Sequence, residues 1–338
     1  MTPGHRPPTS WDVARRAGVS RTTVSYVLNG TSLPISQETR ERVLTAAREL
    51  NYHPQPSARA LRKGRSDDIY FILDRPLTLF LSALTSVLQQ CAREKGYTLA
   101  VYFNNIGPQE ARQDFLVRLF SQRPFGIVTM PGSLTQDDIE LAKSKGAGPC
   151  VSIEQAGSLF WTPEEEPGYL IARHLIERGH HQIGVIVPQN RYLSYTIEAR
   201  LASIYAALEE VKLPAPQPFS IEEITLEEAR RIARLLAGDS SRPTALYGFN
   251  DEYCFHLLRA FREQNLRVPE DIALVGSDDT PFCELTTPSL TSIRQDIAGI
   301  GRYLIDLVEH LAATDENNER EGQFEPIHPP LLIPRESS

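Results

Sequence analysis

The sequence predicts a small all-α head followed by a bilobed α/β core, two Rossmann-like parallel-sheet lobes in series. Three observations predict it. The first fifty residues carry helix caps and apolar stripes at helical spacing, with no strand-like run. From residue 69 onward, short apolar runs alternate with amphipathic stretches, the pattern of βαβ units. That alternation passes through two separate series, one for each lobe.

At 338 residues the chain is long enough for several cores. No run approaches the roughly 20 apolar residues of a membrane span. The opening "MTPGHRPPTS" is polar, Pro-rich and without an apolar signal core, so a cytoplasmic location and no membrane partner are expected. Cys91, Cys150, Cys254 and Cys283 are scattered, without CxxC spacing, as expected of reduced, unpaired thiols. The net charge of −8 is unevenly spread. Residues 1–66 hold eleven Arg or Lys against four acids, a balance of +7, which leaves −15 on the rest. A basic head on an acidic body implies a polyanion that meets the head only.

In the head, Ser10 is placed to cap a helix through residues 12–17, with Val13, Ala14 and Ala17 as its buried stripe. Gly18 supplies a C-terminal residue tolerant of positive φ, and Val19 plugs the corner. Ser20 caps a second helix over 21–28, ended by Asn29-Gly30. On a wheel at about 100° per residue, Arg21, Thr22, Ser25 and Tyr26 share one side. Val24, Val27 and Leu28 lie opposite, with Thr23 on their flank. A third helix runs from a Ser36 cap to about Leu50. Three short helices with a tight turn before the second describe a helix-turn-helix. In that motif the second helix enters the major groove, where Arg, Thr and Tyr can read base edges. Hydroxyls and helix-start N–H groups, Ser10 and Ser20 among them, suit phosphates. Double-stranded DNA is therefore the expected partner. Beyond it, Pro54 and Pro56 break the third helix, and Ser57 can cap a single turn at 58–61 before Arg62, Lys63 and Arg65.

The stretches "DVARRAGVSRTTVSYVLNG", "S-x-E-T-R-x-x-V", "A-R-E-L-N-Y-x-P" and "A-R-x-L" resemble the head and hinge of the lactose/galactose repressor family of bacterial transcription regulators. The resemblance continues along nearly the whole chain. It implies a homodimer whose two heads read a pseudo-palindromic operator, with hinges that turn helical on DNA and a leucine wedged into the minor groove. By motif match that leucine is Leu61, with Arg62 beside it as a minor-groove or backbone contact and Ala58 in the same hinge turn. Arg21, Thr22 and Tyr26 fall where operator preference is set in such proteins, and Asn29 is carried over as a further DNA contact. The implied organisation is a head at 9–53, a hinge at 54–66 and an effector-binding, dimerising core at 67–338. Lobe 1 is expected at about 67–161 and 293–322, and lobe 2 at about 162–292 and 323–338.

In the core, the first series reads strand 69–73, helix 79–94, strand 97–103, helix 109–122, strand 126–130, helix 135–145 and strand 150–154. The second reads helix 167–178, strand 183–187, helices near 197–211 and 226–236, strand 245–249, helix 251–264 and strand 272–276. Ligands in such sheets bind beyond the carboxyl ends of the strands. Arg200 follows one strand, and Asn250 and Asp278 end two others. A guanidinium, a carboxamide and a carboxylate form a polar cage for a hydroxyl-rich or heterocyclic effector, such as a sugar or related metabolite. Thr196 lies one turn before Arg200, and Arg75 and Phe80 in the first-strand loop complete the candidate pocket. Asp251 is read as the cap of the helix that it begins.

The chain departs from the family at this pocket. Thr162-Pro163 replaces the usual Asp-Asn, "SIEEIT" stands where an aromatic usually stacks, Ser203 replaces a glycine, and "DRPLTLF" is atypical. These departures imply an unusual effector or a weakened response. Other functional classes fare worse. Adjacent Asp278-Asp279 does not make an acid/base pair across a substrate, and His180-His181 lacks metal-ligand company. With no P-loop, G-x-S-x-G or dinucleotide fingerprint, neither an enzyme nor a cofactor or metal is expected. A periplasmic-type solute-binding protein would explain the core but not the basic head.

Overall fold

The computed structural model describes residues 8–28, 35–52, 60, 63–104, 109–153, 161–189, 193–313 and 324–338. The chain divides into two compact units, Met1–Asp67 and Asp68–Ser338. Asn29, Ala58, Leu61 and Arg62 lie outside the described residues.

The first unit is built on α1 (Ser10–Ala17), α2 (Arg21–Leu28) and α3 (Gln37–Glu49). Its core is made of small side chains. Val13, Ala14 and Ala17 meet Val24 and Val27 of α2 and Val43, Ala46 and Ala47 of α3. The cap of α1 differs from the sequence reading. Thr9 is the N-cap, and the Asp12 carboxylate accepts from its backbone N (2.8 Å) and its hydroxyl (2.6 Å). Three residues after Ser10 stands Val13, which offers no such acceptor, so the cap settles one residue earlier. Gly18 takes φ 65°, and the Val19 N–H closes on the Ala14 carbonyl, so a sharp corner separates α1 from α2. Ser20 accepts from the Thr23 N–H (3.0 Å), and Ser36 from the Thr39 N–H (3.3 Å).

The second unit holds two four-stranded parallel sheets. β1 (Asp68–Leu73), β2 (Thr98–Phe103), β3 (Gly126–Thr129) and β4 (Cys150–Ser152) are ordered β2-β1-β3-β4. β5 (Ile183–Pro188), β6 (Gln217–Ile221), β7 (Ala245–Tyr247) and β8 (Ala273–Val275) repeat that order as β6-β5-β7-β8. Helices α4 (Leu79–Glu94), α5 (Gln109–Phe120) and α6 (Gln136–Ser144) belong to the first series. The second has α7 (Pro167–Glu177), α8 (Ser194–Glu210), α9 (Leu226–Gly238) and α10 (Asp251–Glu263). In each sheet the first strand lies between its two successors, so the crossovers diverge on either side of it and leave a crevice at the carboxyl ends.

Two features were not read from sequence. β6 is an edge strand, mostly exposed and carrying Pro218, so it lacks an apolar run. α11 (Ile297–Ala313) returns to the first lobe and packs on α4. A Cβ on its Gly301 would stand 2.5 Å from Val87 Cγ1, so the glycine lets the two helices approach closely. On the second lobe, β9 (Ser292–Arg294) pairs antiparallel with β10 (Leu331–Ile333). Ile293 packs in the second lobe, and Phe324 and Ile327 pack in the first. The chain thus leaves the first lobe for the last time after Ile327, later than residue 323. Among the described residues no helix is long and apolar enough to cross a membrane, and no cluster of His, Cys, Asp and Glu could hold a metal ion. The four cysteines are unpaired.

Candidate DNA-reading surface and inter-lobe cleft

In the head, burial divides α2 along its length. Val24 and Val27 are buried, whereas Arg21, Thr22 and Tyr26 are exposed. Ser25 and Thr23 lie half-buried at the flanks, and the Thr23 hydroxyl meets that of Ser20 at 2.9 Å. Ser10, half-buried, opens α1. The Arg21 guanidinium stands 5.9 Å from the ring centre of Trp11, itself 63% exposed. Sequence reasoning passed over Trp11, although a tryptophan so exposed at a helix start is unusual in a packed three-helix head.

The core carries a cavity of about 630 Å³ between its lobes, within the usual range for small-molecule sites. All six residues proposed from sequence, Arg75, Phe80, Thr196, Arg200, Asn250 and Asp278, line it. They arrive as the topology requires. Arg75 and Phe80 follow β1, Thr196 and Arg200 sit on α8 after β5, Asn250 follows β7, and Asp278 follows β8. Arg75 is buried on an ion pair with Asp74 (Nε to Oδ1, 2.9 Å) and donates to the Pro131 carbonyl (2.9 Å). Arg200 donates through Nη1 to the Tyr247 hydroxyl (2.8 Å) and the Phe249 carbonyl, and lies 4.9 Å from the Phe249 ring centre. Phe249 holds a left-handed backbone (φ 68°), strained for a bulky residue, which turns its carbonyl toward Arg200. Gly168 at the start of α7 makes room for this arrangement. A Cβ there would fall 2.4 Å from the Arg200 carbonyl oxygen and 2.3 Å from Ser203 Oγ.

One reading of the α10 start is corrected. Asn250, not Asp251, is the cap, and its Oδ1 accepts from the Tyr253 N–H (3.1 Å). Asp251 is fully buried and organises the turn after β8. Its Oδ1 accepts from the N–H groups of Ser277 (3.0 Å) and Asp278 (3.3 Å), and its Oδ2 from that of Thr280 (2.7 Å). The Ser292 and Cys283 side chains also donate to it. Those donors lie 26 to 41 positions further along the chain, beyond the reach of a local reading. The turn separates the adjacent aspartates. Asp279 (φ 45°) pairs with Arg294 and Arg335, whereas Asp278 faces the cleft.

Several cleft residues were missed. Trp161, Glu166, Tyr195, Phe249 and Glu252 line the cavity, as do Glu222 and Glu223 of the "SIEEIT" stretch. Glu252 joins the lobes: its Oε1 accepts from the Leu79 N–H at the start of α4 (2.9 Å). A carboxylate of lobe 2 thereby satisfies an orphan donor at a helix N-terminus of lobe 1, where negative charge is favoured.

Burial, and then the charge of Asp251, push the Asp278 carboxyl from its ordinary 3.8 to about 7, against the pull of Arg200. Burial likewise raises Glu166, and Arg200 again opposes it. The linkage has a definite sign. A carboxyl raised in the folded state favours folding fully below its unfolded value and ceases to do so as pH rises through the folded one. Stability is therefore expected to decline between about pH 4 and 7 through this group, and Asp278→Asn to flatten that decline in melting temperature against pH. A wild-type and variant profile of equal slope would remove Asp278 as its source.

The chain matches the model for bacterial regulatory proteins of the lacI family over residues 11–55 and that for a periplasmic binding protein-like domain over residues 172–338. The HTH-type transcriptional repressor PurR of Haemophilus influenzae is 32% identical over 335 residues, covering 95% of this chain and 96% of that one. The protein of the same name from Vibrio parahaemolyticus is 29% identical over 327 residues, with 93% and 95% covered. Among solved structures, the lac repressor dimer bound to operator and the anti-inducer ONPF superposes with a TM-score of 0.78. It is 25% identical and covers 98% of this chain and 99% of that one. The lac repressor bound to ONPG in the repressed state gives a TM-score of 0.77 at 25% identity, with 98% and 100% covered.

Proposed function

The chain belongs to the lacI family of bacterial regulatory proteins, as a DNA-binding transcriptional repressor and not an enzyme, and from that premise we propose how its parts divide the work. Residues 9–53 form the reading head, 54–66 the hinge, and 67–338 the effector-binding and dimerising core, in a cytoplasmic homodimer. The observation that carries the reading is the division of α2: Val24 and Val27 fix the helix from behind, and Arg21, Thr22 and Tyr26 stand exposed in front. A helix held in this way presents guanidinium, hydroxyl and phenol to base edges. Ser10, Ser20, Thr23, Ser25 and Asn29 fix its register on phosphates and sugars. The lac repressor binds its operator as a dimer, and two copies of this head would read two half-sites of a pseudo-palindrome.

Between the half-sites, Ala58, Leu61 and Arg62 of each hinge enter the minor groove, with Leu61 as the wedge. This part rests on the motif alone. Unstacking a base step costs a few kcal/mol, recovered through the contacts that the bend permits. Leu61→Ala is therefore expected to weaken specific binding by a larger factor than non-specific binding, read from anisotropy titrations on a selected site and on random duplex. An equal loss on both would remove the wedge.

The cleft supplies control. A small molecule held by Arg75, Phe80, Thr196, Arg200, Asn250 and Asp278 would change the angle between the lobes, and with it the spacing of the paired hinges. Couplings of this kind are typically about 1–3 kcal/mol, or about 5- to 150-fold in affinity. Selection of binding sites from random duplex by the full chain tests the whole reading. It should return an inverted repeat, and a single unrepeated half-site would contradict the homodimer.

A further inference from the structure

The cleft is more acidic than its two arginines suggest. Five carboxylates line it, Glu166, Glu222, Glu223, Glu252 and Asp278, against Arg75 and Arg200, and among the described residues no lysine or histidine does. With all five ionised the formal balance is −3, a charge that the burial of Asp278 opposes below about pH 7. Neither guanidinium is idle. Arg75 is buried on Asp74 and the Pro131 carbonyl. Arg200 is held by Tyr247 and Phe249, and its field acts on both Glu166 and Asp278. The carboxylates, by contrast, are short of donors. Among the described residues no protein hydrogen bond reaches the side-chain oxygens of Glu166 or Asp278. Glu252 spends one oxygen on the Leu79 N–H, and Glu222 and Glu223 stand exposed at the rim.

Electrostatics in such a crevice depends on the sum of its fixed charges, because low-dielectric walls concentrate their field. An incoming anion meets that net negative charge, finds Arg75 spent on Asp74, and finds Arg200 held through Nη1 by Tyr247 and Phe249. An incoming cation meets two half-buried carboxylates without hydrogen-bond donors among the described residues, Glu166 and Asp278, and lowers their cost as it binds. The remaining wall includes the aromatic faces of Phe80, Trp161, Tyr195 and Phe249, surfaces that attract cationic nitrogen. We infer that the effector of this cleft is a small organic cation, a protonated amine carried on a body that fits about 630 Å³. The inference rests on the reading of the cleft as the effector site and adds the charge class of the ligand to it.

Fluorescence of the full chain tests it. The sequence has two tryptophans. Trp11→Phe leaves Trp161, which lines the cleft, as the sole reporter. Two matched sets of probes share a body and differ chiefly in charge: N-methylglucamine, sorbitol and gluconate; and cyclohexylammonium, cyclohexanol and cyclohexanecarboxylate. In at least one set the ammonium is expected to change Trp161 emission saturably. Its Kd should lie at least about tenfold below that of the carboxylate at low salt, and the gap should shrink as salt is added. Glu222→Gln with Glu223→Gln, both at the exposed rim, should narrow the same gap while leaving the melting temperature unchanged.

A neutral or anionic member that binds as well as the ammonium overturns the inference, and so does the absence of a saturable change with every probe. Operator anisotropy in the presence of each probe separates the two levels. If a neutral or anionic probe fills the cleft and shifts operator affinity, the effector reading stands and the charge class falls. If the ammonium fills the cleft without moving operator affinity, the charge class stands and the effector reading falls.

Discussion

Replacing Arg21 with alanine is expected to remove most of the preference for operator over random duplex while leaving the head folded. Arg21 sits in the first turn of α2, exposed, with the Trp11 ring as its neighbour. Among the described residues no buried group depends on it, so the head should melt as before. On DNA, a bidentate arginine contact to a base pair discriminates by about 1–3 kcal/mol. A symmetric dimer loses the contact twice, so specific affinity should fall by about 2–6 kcal/mol in all, roughly 30-fold to more than 10⁴-fold. Random duplex is held mainly by phosphate contacts and should lose far less. Anisotropy on both duplexes measures this directly. A uniform loss on both would make Arg21 a phosphate contact, and a site selection unchanged in sequence would place base recognition elsewhere.

Arg200→Ala carries the second large effect, at the other end of the molecule. One guanidinium holds the Tyr247 hydroxyl and the Phe249 carbonyl, stacks on Phe249, and opposes the raised carboxyls of Glu166 and Asp278. Without it, Asp278 loses the cation that lowers its carboxyl and should rise beyond about 7. The left-handed turn at Phe249 keeps only the Tyr247 hydroxyl as donor to its carbonyl. The expected result is a complete loss of effector response with operator binding retained, and a lower melting temperature. Arg200→Lys should not rescue it, because an ammonium cannot reproduce the planar fork or its stacking. Retained effector response in either variant would remove Arg200 from the site.

The head was legible because its determinants are local. Two valines three residues apart define the inner side of α2, and serines three residues before their partners cap α2 and α3. The one slip, Ser10 for Thr9, arose where two hydroxyl residues adjoin and Asp12 decides between them. In the core, Arg75, Phe80, Thr196, Arg200, Asn250 and Asp278 were legible as residues following strands, where such sheets bind ligands. The rest of the cleft was not. Trp161 and Glu166 enter on a chain crossover without periodicity, and Glu252 lies on a helix whose first turn reads as an ordinary acidic start. Its bond to Leu79 spans 173 residues. Asp251 shows the same limit: a residue poised as a cap is recruited by donors that only the folded turn brings near. The acidity of the cleft likewise becomes visible only when five scattered carboxylates share one cavity.

The central claim is that the exposed side of α2 recognises a particular duplex sequence. Its most direct test is competition. The full chain, bound to a labelled duplex recovered by selection, is titrated with unlabelled random duplex at physiological salt. Recognition of this kind predicts displacement only at an excess of about 10³-fold or more. Displacement by random duplex at parity with the selected sequence would contradict it.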